Sequence, residues 1–379
     1  MQSLARVPEK TPWPWPSVPP SRCNPDMAYS VTQIDDPDLR ERMLVKLWTS
    51  NDLHLRGDPH AKYSWFYQGA PGGTATAFFL QNGAGTADQP VGCCGLGSRQ
   101  VWIDGTPVTA GLFADFAVDA AHRTLMPALT LQRALCTNAR ARFPLTYGFP
   151  NHAAVGIFKR VGFPLLGTAN RYVRVLRSSS YLERTVGSRR IARVLGRAVD
   201  TALNARTLPH TLFKDRSQRL EWSPAPDQRF TALFEQARQR YRFIGDRSEA
   251  FLRWRFTDRP GLPSAFAMLV DRSGALQAYA VVLEKEPGVA LVADFLGADD
   301  RALHGLFARL MPALRARGFK SAKAFFLGDP AVATVLRSHG FQERTCAKYI
   351  VVGAGTNQPA PAGFDDHNHW YLTEGDRDN

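Results

Sequence analysis

Short runs in which apolar and polar residues alternate give way to helical spacing, and the change happens twice along this chain. In the first half, Thr74 to Leu80 and Val91 to Gln100 read as strands joined by the Gly/Asn-rich stretch Gln81 to Pro90. A tight turn at Asp104-Gly105 then leads into a strand from Val108 to Val118, the pattern of a hairpin. After a short loop containing Arg123, the residues Leu129, Leu131, Gln132, Ala134 and Leu135 carry a helix to about Arg142. Thr146 to Phe149 is a short strand, and a helix from Asn151 to Arg160 ends at Val161-Gly162-Phe163.

The second half follows the same plan. Ala265 to Val270 meets Leu276 to Glu284 through the turn Asp271-Arg272-Ser273-Gly274, and Val289 to Leu296 follows Pro287-Gly288. Arg301 precedes a helix to about Arg317, then come a strand Ala322 to Leu327, a helix Pro330 to Ser338, and His339-Gly340-Phe341. Arg123 and Arg301, Gly162 and Gly340, and Phe163 and Phe341 are each 178 positions apart, and Asp115 and Asp294 are 179 apart. So steady an offset points to an internal repeat of two mixed sheets flanked by helices, an α/β architecture.

The candidate chemistry lies where the strand ending at Val118 passes through Arg123 into a helix. A helix start offers unpaired backbone N–H groups and the positive end of its dipole, so this corner suits an anion such as a diphosphate. Pro127 donates no N–H but is tolerated in a first turn. The second-half loop, Gly297 to Gly305, keeps Arg301 but sets Asp299 and Asp300 beside it, and those charges repel an anion.

This strand–loop–helix resembles the acyl-coenzyme A loop of the GNAT acyltransferases, usually Arg/Gln-x-x-Gly-x-Gly/Ala. Here it runs Arg123-x-x-Met126-x-Ala128. The resemblance implies two GNAT-like domains in tandem, residues 28–178 and 225–352, the first binding acetyl-CoA or another acyl-CoA and the second degenerate. It implies direct transfer of the acyl group to an amine or hydroxyl of a small-molecule or glycan acceptor. Arg123 and the amides of residues 124–128 would take the diphosphate, and the edge groups of Phe116 and Val118 would pair with the pantetheine arm. Met126, in place of a glycine, either narrows the site or points away. Asn151 is placed to cap a helix and, in the family, faces the coenzyme. Two residues are candidate catalysts. Asp115 would accept the acceptor's proton, depending on which strand face it occupies. Tyr147 either protonates the departing thiolate or is an interior aromatic.

The tandem plan is also similar to Fem-type transferases, which implies aminoacyl-tRNA as an alternative donor. Phe251 to Phe256 and Trp370 to Asp376 are similar to stretches of bacterial tandem proteins linked to surface polysaccharides. A third reading keeps the fold without catalysis, as an eroded binding module.

Composition narrows the field. With 379 residues the chain suits two domains, and 44% hydrophobic with 21% charged residues is an ordinary globular balance. No apolar run approaches the ~20 residues of a membrane span. Residues 1–27, with Pro12, Pro14, Pro16, Pro19 and Pro20, read as a disordered tail, residues 353–379 as a C-terminal tail, and the cytoplasm is expected. The five cysteines, Cys23, Cys93, Cys94, Cys136 and Cys346, show no metal spacing and read as core residues. His122 and His152 read as surface residues. The net charge of +13 concentrates between Arg171 and Arg259, with 20 Lys/Arg against 9 Asp/Glu. Within the expected connector, 179–224, Ile191, Val194, Leu195, Ala198 and Ala202 form one helical stripe among arginines. Such a stripe packs on its own domain or lies on an anionic membrane. No DNA-binding motif accompanies the basic residues.

Overall fold

The computed structural model describes residues 29–51, 53, 57–83, 89–178 and 217–378. The first half runs β1 (Tyr29–Gln33), α1 (Pro37–Ser50), α2 (Pro59–Tyr63) continuing into a π-helical turn Ser64–Gln68, β2 (Thr76–Asn82), β3 (Gly92–Ile103) and β4 (Thr106–Val118). It continues with α3 (Leu125–Arg142), β5 (Leu145–Gly148), α4 (His152–Arg160), β6 (Leu165–Thr168) and β7 (Asn170–Val175). The second half runs β8 (Arg219–Ser223), α5 (Gln228–Ala237), β9 (Phe243–Gly245), α6 (Glu249–Leu252) with a π-helical turn Arg253–Thr257, β10 (Ser264–Val270), β11 (Leu276–Glu286) and β12 (Val289–Gly297). Then come α7 (Asp300–Ala316), β13 (Ser321–Gly328), α8 (Pro330–Ser338), β14 (Gln342–Arg344), β15 (Tyr349–Ala354) and β16 (Trp370–Thr373).

The expected strands and helices of both halves are present, and the turn residues Asp104 and Gly105 both take positive φ, 49° and 79°. That is the geometry of a two-residue turn whose twist matches its strands. Residues 1–28 and 179–216, which hold the proline-rich stretch and the basic stripe, lie outside the described residues. The rest of the expected connector, Arg219–Ser223, is a strand pairing with β10. The expected C-terminal tail is not one. Trp370, Tyr371, Glu374 and Asp376 are all under 4% exposed, and β16 pairs with β13 and β9.

The two halves share one mixed sheet of 16 strands. Their terminal strands are exchanged: β15 of the second half pairs with β5, and β7 of the first half pairs with β13. β7 and β15 are themselves repeat equivalents, 179 positions apart at both ends. A second link is symmetric as well. Trp65 and Trp254, each in a π-helical turn, stack with ring centres 4.8 Å apart and planes at 12°. Each indole N–H donates to the other's backbone carbonyl, at 2.7 and 2.8 Å. Two hydrophobic layers result. One lies under α3 and α4, with Phe113, Leu131, Leu135, Phe158 and Phe163. The larger one joins the opposite sheet face to the second half.

Candidate active site

In the first half the parallel ladder between β4 and β5 covers only Gly111–Phe113 against Thr146–Gly148. β5 ends at Gly148, so beyond Phe113 the two strands part and the edge of β4 from Ala114 to Val118 has no strand beside it among the described residues. A cleft of about 980 Å³ opens there. On one side it is bounded by Ala128 and Leu135 of α3 and by Asn151, Ala154, Ile157 and Phe158 of α4. Through the parted strands it continues to Lys62 and Trp65, and to Arg259, Lys285, Arg377 and Asp378 of the second half.

A bulge sets which side chains face which side. Cys93 pairs with Ala117 and Gly95 with Ala114, so Cys94 alone opposes both Asp115 and Phe116. Asp115 takes φ 53°, a left-handed conformation that costs a non-glycine residue about 1 kcal/mol or more and is tolerated where surrounding contacts enforce it. In a regular strand Asp115 would share the face of Phe113. The extra residue instead turns its carboxylate toward the first π-helical turn. There Lys62 Nζ lies 2.5 Å from Oδ1 and the Tyr67 hydroxyl donates to Oδ2 at 2.9 Å. The Asp115 side chain is 7% exposed, and Lys62 also sits over the Trp48 ring at 4.3 Å. Burial, with the Asp115 charge adding, raises the Tyr67 phenol well above its usual range, so it stays a donor.

The anion corner is open. Thr124 makes no side-chain cap, and the amides of Leu125 and Met126 meet no acceptor among the described residues. Arg123 stands beside them, its Nε donating to Val118 O at 3.1 Å and Nη2 to Asn51 Oδ1 at 2.9 Å. The Val118 carbonyl, expected to face a ligand, already accepts one hydrogen bond from Arg123. Met126 does not narrow the site. Its side chain is 62% exposed and absent from the cleft wall, while Arg123, Thr124, Leu125 and Ala128 line it. Phe116 and Val118 line it too. Asn151 caps α4, accepting from Ala154 N at 2.9 Å, and borders the cleft.

Tyr147 is elsewhere. It is 2% exposed, packs edge-on to Phe149 and beside Trp370, and does not line the cleft. On β5 its side chain points into the layer shared with the second half, so the interior-aromatic alternative describes it. Burial pushes its phenol above the usual range. His122 bonds Tyr29 and His152 bonds Tyr349, both at the periphery. Cys93, Cys94 and Cys136 are buried and free.

The repeat-equivalent corner of the second half is filled by the chain itself. The ladder between β12 and β13 also stops early, at Val292 against Ala324, but β16 then pairs with Phe326–Gly328 of β13. The Tyr371 hydroxyl donates to Phe295 O. At the start of α7 the Asp299 carboxylate caps Ala302 N at 2.7 Å, and Asp300 pairs with Arg240. Changing Asp299 to alanine should cost about 1 kcal/mol in chemical unfolding, the usual worth of such a cap. Asp294, the counterpart of Asp115, is 1% exposed and bonded by Tyr279, Thr373 and Arg247.

Sequence reasoning missed Lys62, Lys285, Arg259, Arg377 and Asp378. None is near the loop in sequence. Lys285, Lys348 and Arg377 converge on the buried Glu374 carboxylate at 2.9, 2.9 and 3.2 Å. Burial opposes its charge, yet these three cations hold Glu374 well below the ordinary range. A depressed folded value contributes stability that is complete above the unfolded pKa of about 4.3 and is lost as pH falls through the folded value. Glu374→Gln should therefore lower stability at neutral pH and flatten the acid limb of a stability–pH curve. Burial lowers Lys285 to about 8 against the pull of Glu374. That contribution has the opposite sign: it disfavours the folded state below about 8 and fades as pH rises.

No family model and no curated protein matches this chain. Solved structures do. A GCN5-related N-acetyltransferase from Anabaena variabilis aligns at 13% identity and TM-score 0.59, covering 86% of this chain and 72% of its own. One from Kribbella flavida aligns at 13% and 0.55, covering 86% and 71%. The Saccharomyces cerevisiae N-myristoyltransferase with bound myristoyl-CoA aligns at 10% and 0.51, covering 96% of this chain and 92% of its own. At these identities the likeness is one of fold: the chain has the mixed α/β fold of the GNAT acyltransferases, as the sequence implied. No helix among the described residues is long and apolar enough to cross a membrane.

Proposed function

We propose that this protein is an acyltransferase that takes an acyl group from acyl-CoA, with acetyl-CoA the first donor to test, and passes it to an amine or hydroxyl of a small molecule or glycan. The observation that carries this reading is the unpaired edge of β4 beside the uncapped start of α3. Diphosphate oxygens would be met by the Leu125 and Met126 amides and Arg123. The amide-like arm of pantetheine would lie along Ala114 to Ala117, its thioester end reaching the bulge at Asp115. Asn151 would border the same arm from α4. On the far side of the sheet, the second half supplies the remaining wall where the acceptor would enter. On this reading the donor would sit in the first half, since β16, Tyr371 and Asp299 fill the equivalent corner of the second.

In the reaction, the acceptor nitrogen or oxygen bonds to the acyl carbon, the carbon–sulfur bond breaks, and the sulfur leaves with the electron pair. The cleft's contribution is to hold the two reactants at contact and to receive the acceptor's proton. Purified protein given acetyl-CoA and a set of amines and amino sugars should release thiol in an acceptor-dependent way. Absence of turnover together with absence of coenzyme A binding at millimolar ligand would defeat the proposal. A Fem-like aminoacyl-tRNA donor would draw on the basic segment outside the described residues; RNA absorbance in the purified protein would favour it.

A further inference from the structure

Two carboxylates line the cleft, Asp115 and Asp378, and they are not equivalent. Both oxygens of Asp115 are engaged, Oδ1 by Lys62 and Oδ2 by the Tyr67 hydroxyl. Protonating Asp115 would discharge an ion pair whose partner, Lys62, is only 14% exposed and would then be a buried charge without its counter-ion. Such a group is placed to hold geometry. Asp378 differs. Among the described residues its carboxylate is bonded by its own backbone N–H and by no other side chain, and it reaches the cleft from the stretch after β16, which the Glu374 cluster anchors.

On the acyl-transfer reading above, we propose that Asp378 is the group that accepts the acceptor's proton, and that Lys62, Asp115 and Tyr67 are positioning residues that hold the bulge where the thioester meets the nucleophile. An ammonium acceptor first gives one proton to the Asp378 carboxylate, the freed lone pair bonds to the acyl carbon, and the nitrogen's surplus proton then passes to solvent; a hydroxyl gives its proton to the carboxylate as the bond forms. The carbon–sulfur bond breaks, the thiolate takes a proton from solvent, and Asp378 then releases its own proton to solvent. Burial, with the Asp115 charge adding, pushes the Asp378 carboxyl up against the pull of Arg377 and Lys62. That raises its basicity toward the working range of a proton acceptor. The charged groups sharing its space are Lys62, Asp115, Arg259, Lys285 and Arg377. The site would therefore be incomplete in either half alone, since the β4 edge comes from one and the proton acceptor from the other.

Two readouts test this on the full chain. The first needs no acceptor: carbon-13 NMR titration of the aspartate carboxyls, with D378N and D115N used for assignment. Asp378 is expected to titrate above the ordinary carboxylate range and to move in D115N. Titration of Asp378 at or below that range overturns the assignment. The second is acetyl-CoA turnover with glucosamine, an amine largely protonated at neutral pH, against hydroxylamine, which is not. D378N should lose about a hundredfold or more of the glucosamine rate, with the rising limb of its pH profile abolished, and keep most of the hydroxylamine rate. D378E should recover part of the glucosamine rate. Equal losses with both nucleophiles, or a larger pH effect in D115N than in D378N, overturn the proposal. Coenzyme A affinity measured alongside separates the two levels, because its absence in the wild-type protein sinks the acyl-transfer reading and not merely this residue.

Discussion

Arg123→Glu is expected to weaken coenzyme A binding by about a hundredfold, a cost on the order of 2–3 kcal/mol for losing one charge-assisted contact and facing a diphosphate with a carboxylate. The guanidinium is already held in place by Val118 O and Asn51 Oδ1, so little ordering remains to be done when the ligand arrives. It stands at the start of α3, where the Leu125 and Met126 amides add two donors and the helix dipole the same sign of potential. Calorimetry should show the loss as lower affinity at unchanged stoichiometry, more pronounced at low salt because Arg123 is exposed. Arg301→Glu, at the equivalent position of the second half, should leave binding as it was. Equal affinities for wild type and Arg123→Glu would mean that the diphosphate, if bound at all, sits somewhere else.

Trp254→Ala should destabilise the whole protein by about 4 kcal/mol. The indole is 4% exposed, stacks on Trp65, exchanges a hydrogen bond with it and carries the Arg99 guanidinium at 4.4 Å from its ring. Its loss leaves a cavity, an unpaired Trp65 carbonyl and a buried cation with less to lie against. Because β7 and β15 are exchanged, neither half completes its part of the shared sheet without the other. Unfolding is therefore expected to stay a single transition, shifted to lower denaturant, by fluorescence and by circular dichroism alike. Two separated transitions, or a shift no larger than that of a surface substitution, would show that the halves are independent units.

The parts of the molecule that sequence made legible are the local ones. Strand, Arg123 loop and helix follow one another within a few residues, so apolar spacing and a helix-start signal suffice to place them. The Asn151 cap and the Asp104-Gly105 turn are of the same kind. The repeat landmarks stop at Phe163 and Phe341, before β7 and β15, and an offset cannot tell which half an equivalent strand joins; here each pairs with the other half. The face occupied by Asp115 was hidden for a related reason. One inserted residue reverses the alternation of the strand beyond it, and nothing in Ala114 to Val118 announces it. Tyr147 was misplaced as a candidate because its neighbours on β5 are local while the Trp370 that packs beside it is not. The far wall of the cleft is assembled from Lys62, Arg259, Lys285 and Asp378, which only the docking of the halves brings together. One signal for it was present: Trp370-Tyr371-Leu372 is a short run of strand-favouring aromatic and apolar residues inside what read as a tail.

A crystal structure of the protein soaked with coenzyme A discriminates best. The diphosphate is expected against the Leu125 and Met126 amides and Arg123, with pantetheine along Ala114 to Ala117 between β4 and α4. Coenzyme density at the start of α7 instead, or a cleft left empty at millimolar ligand while the protein remains folded, would contradict the assignment of the first half as the donor site.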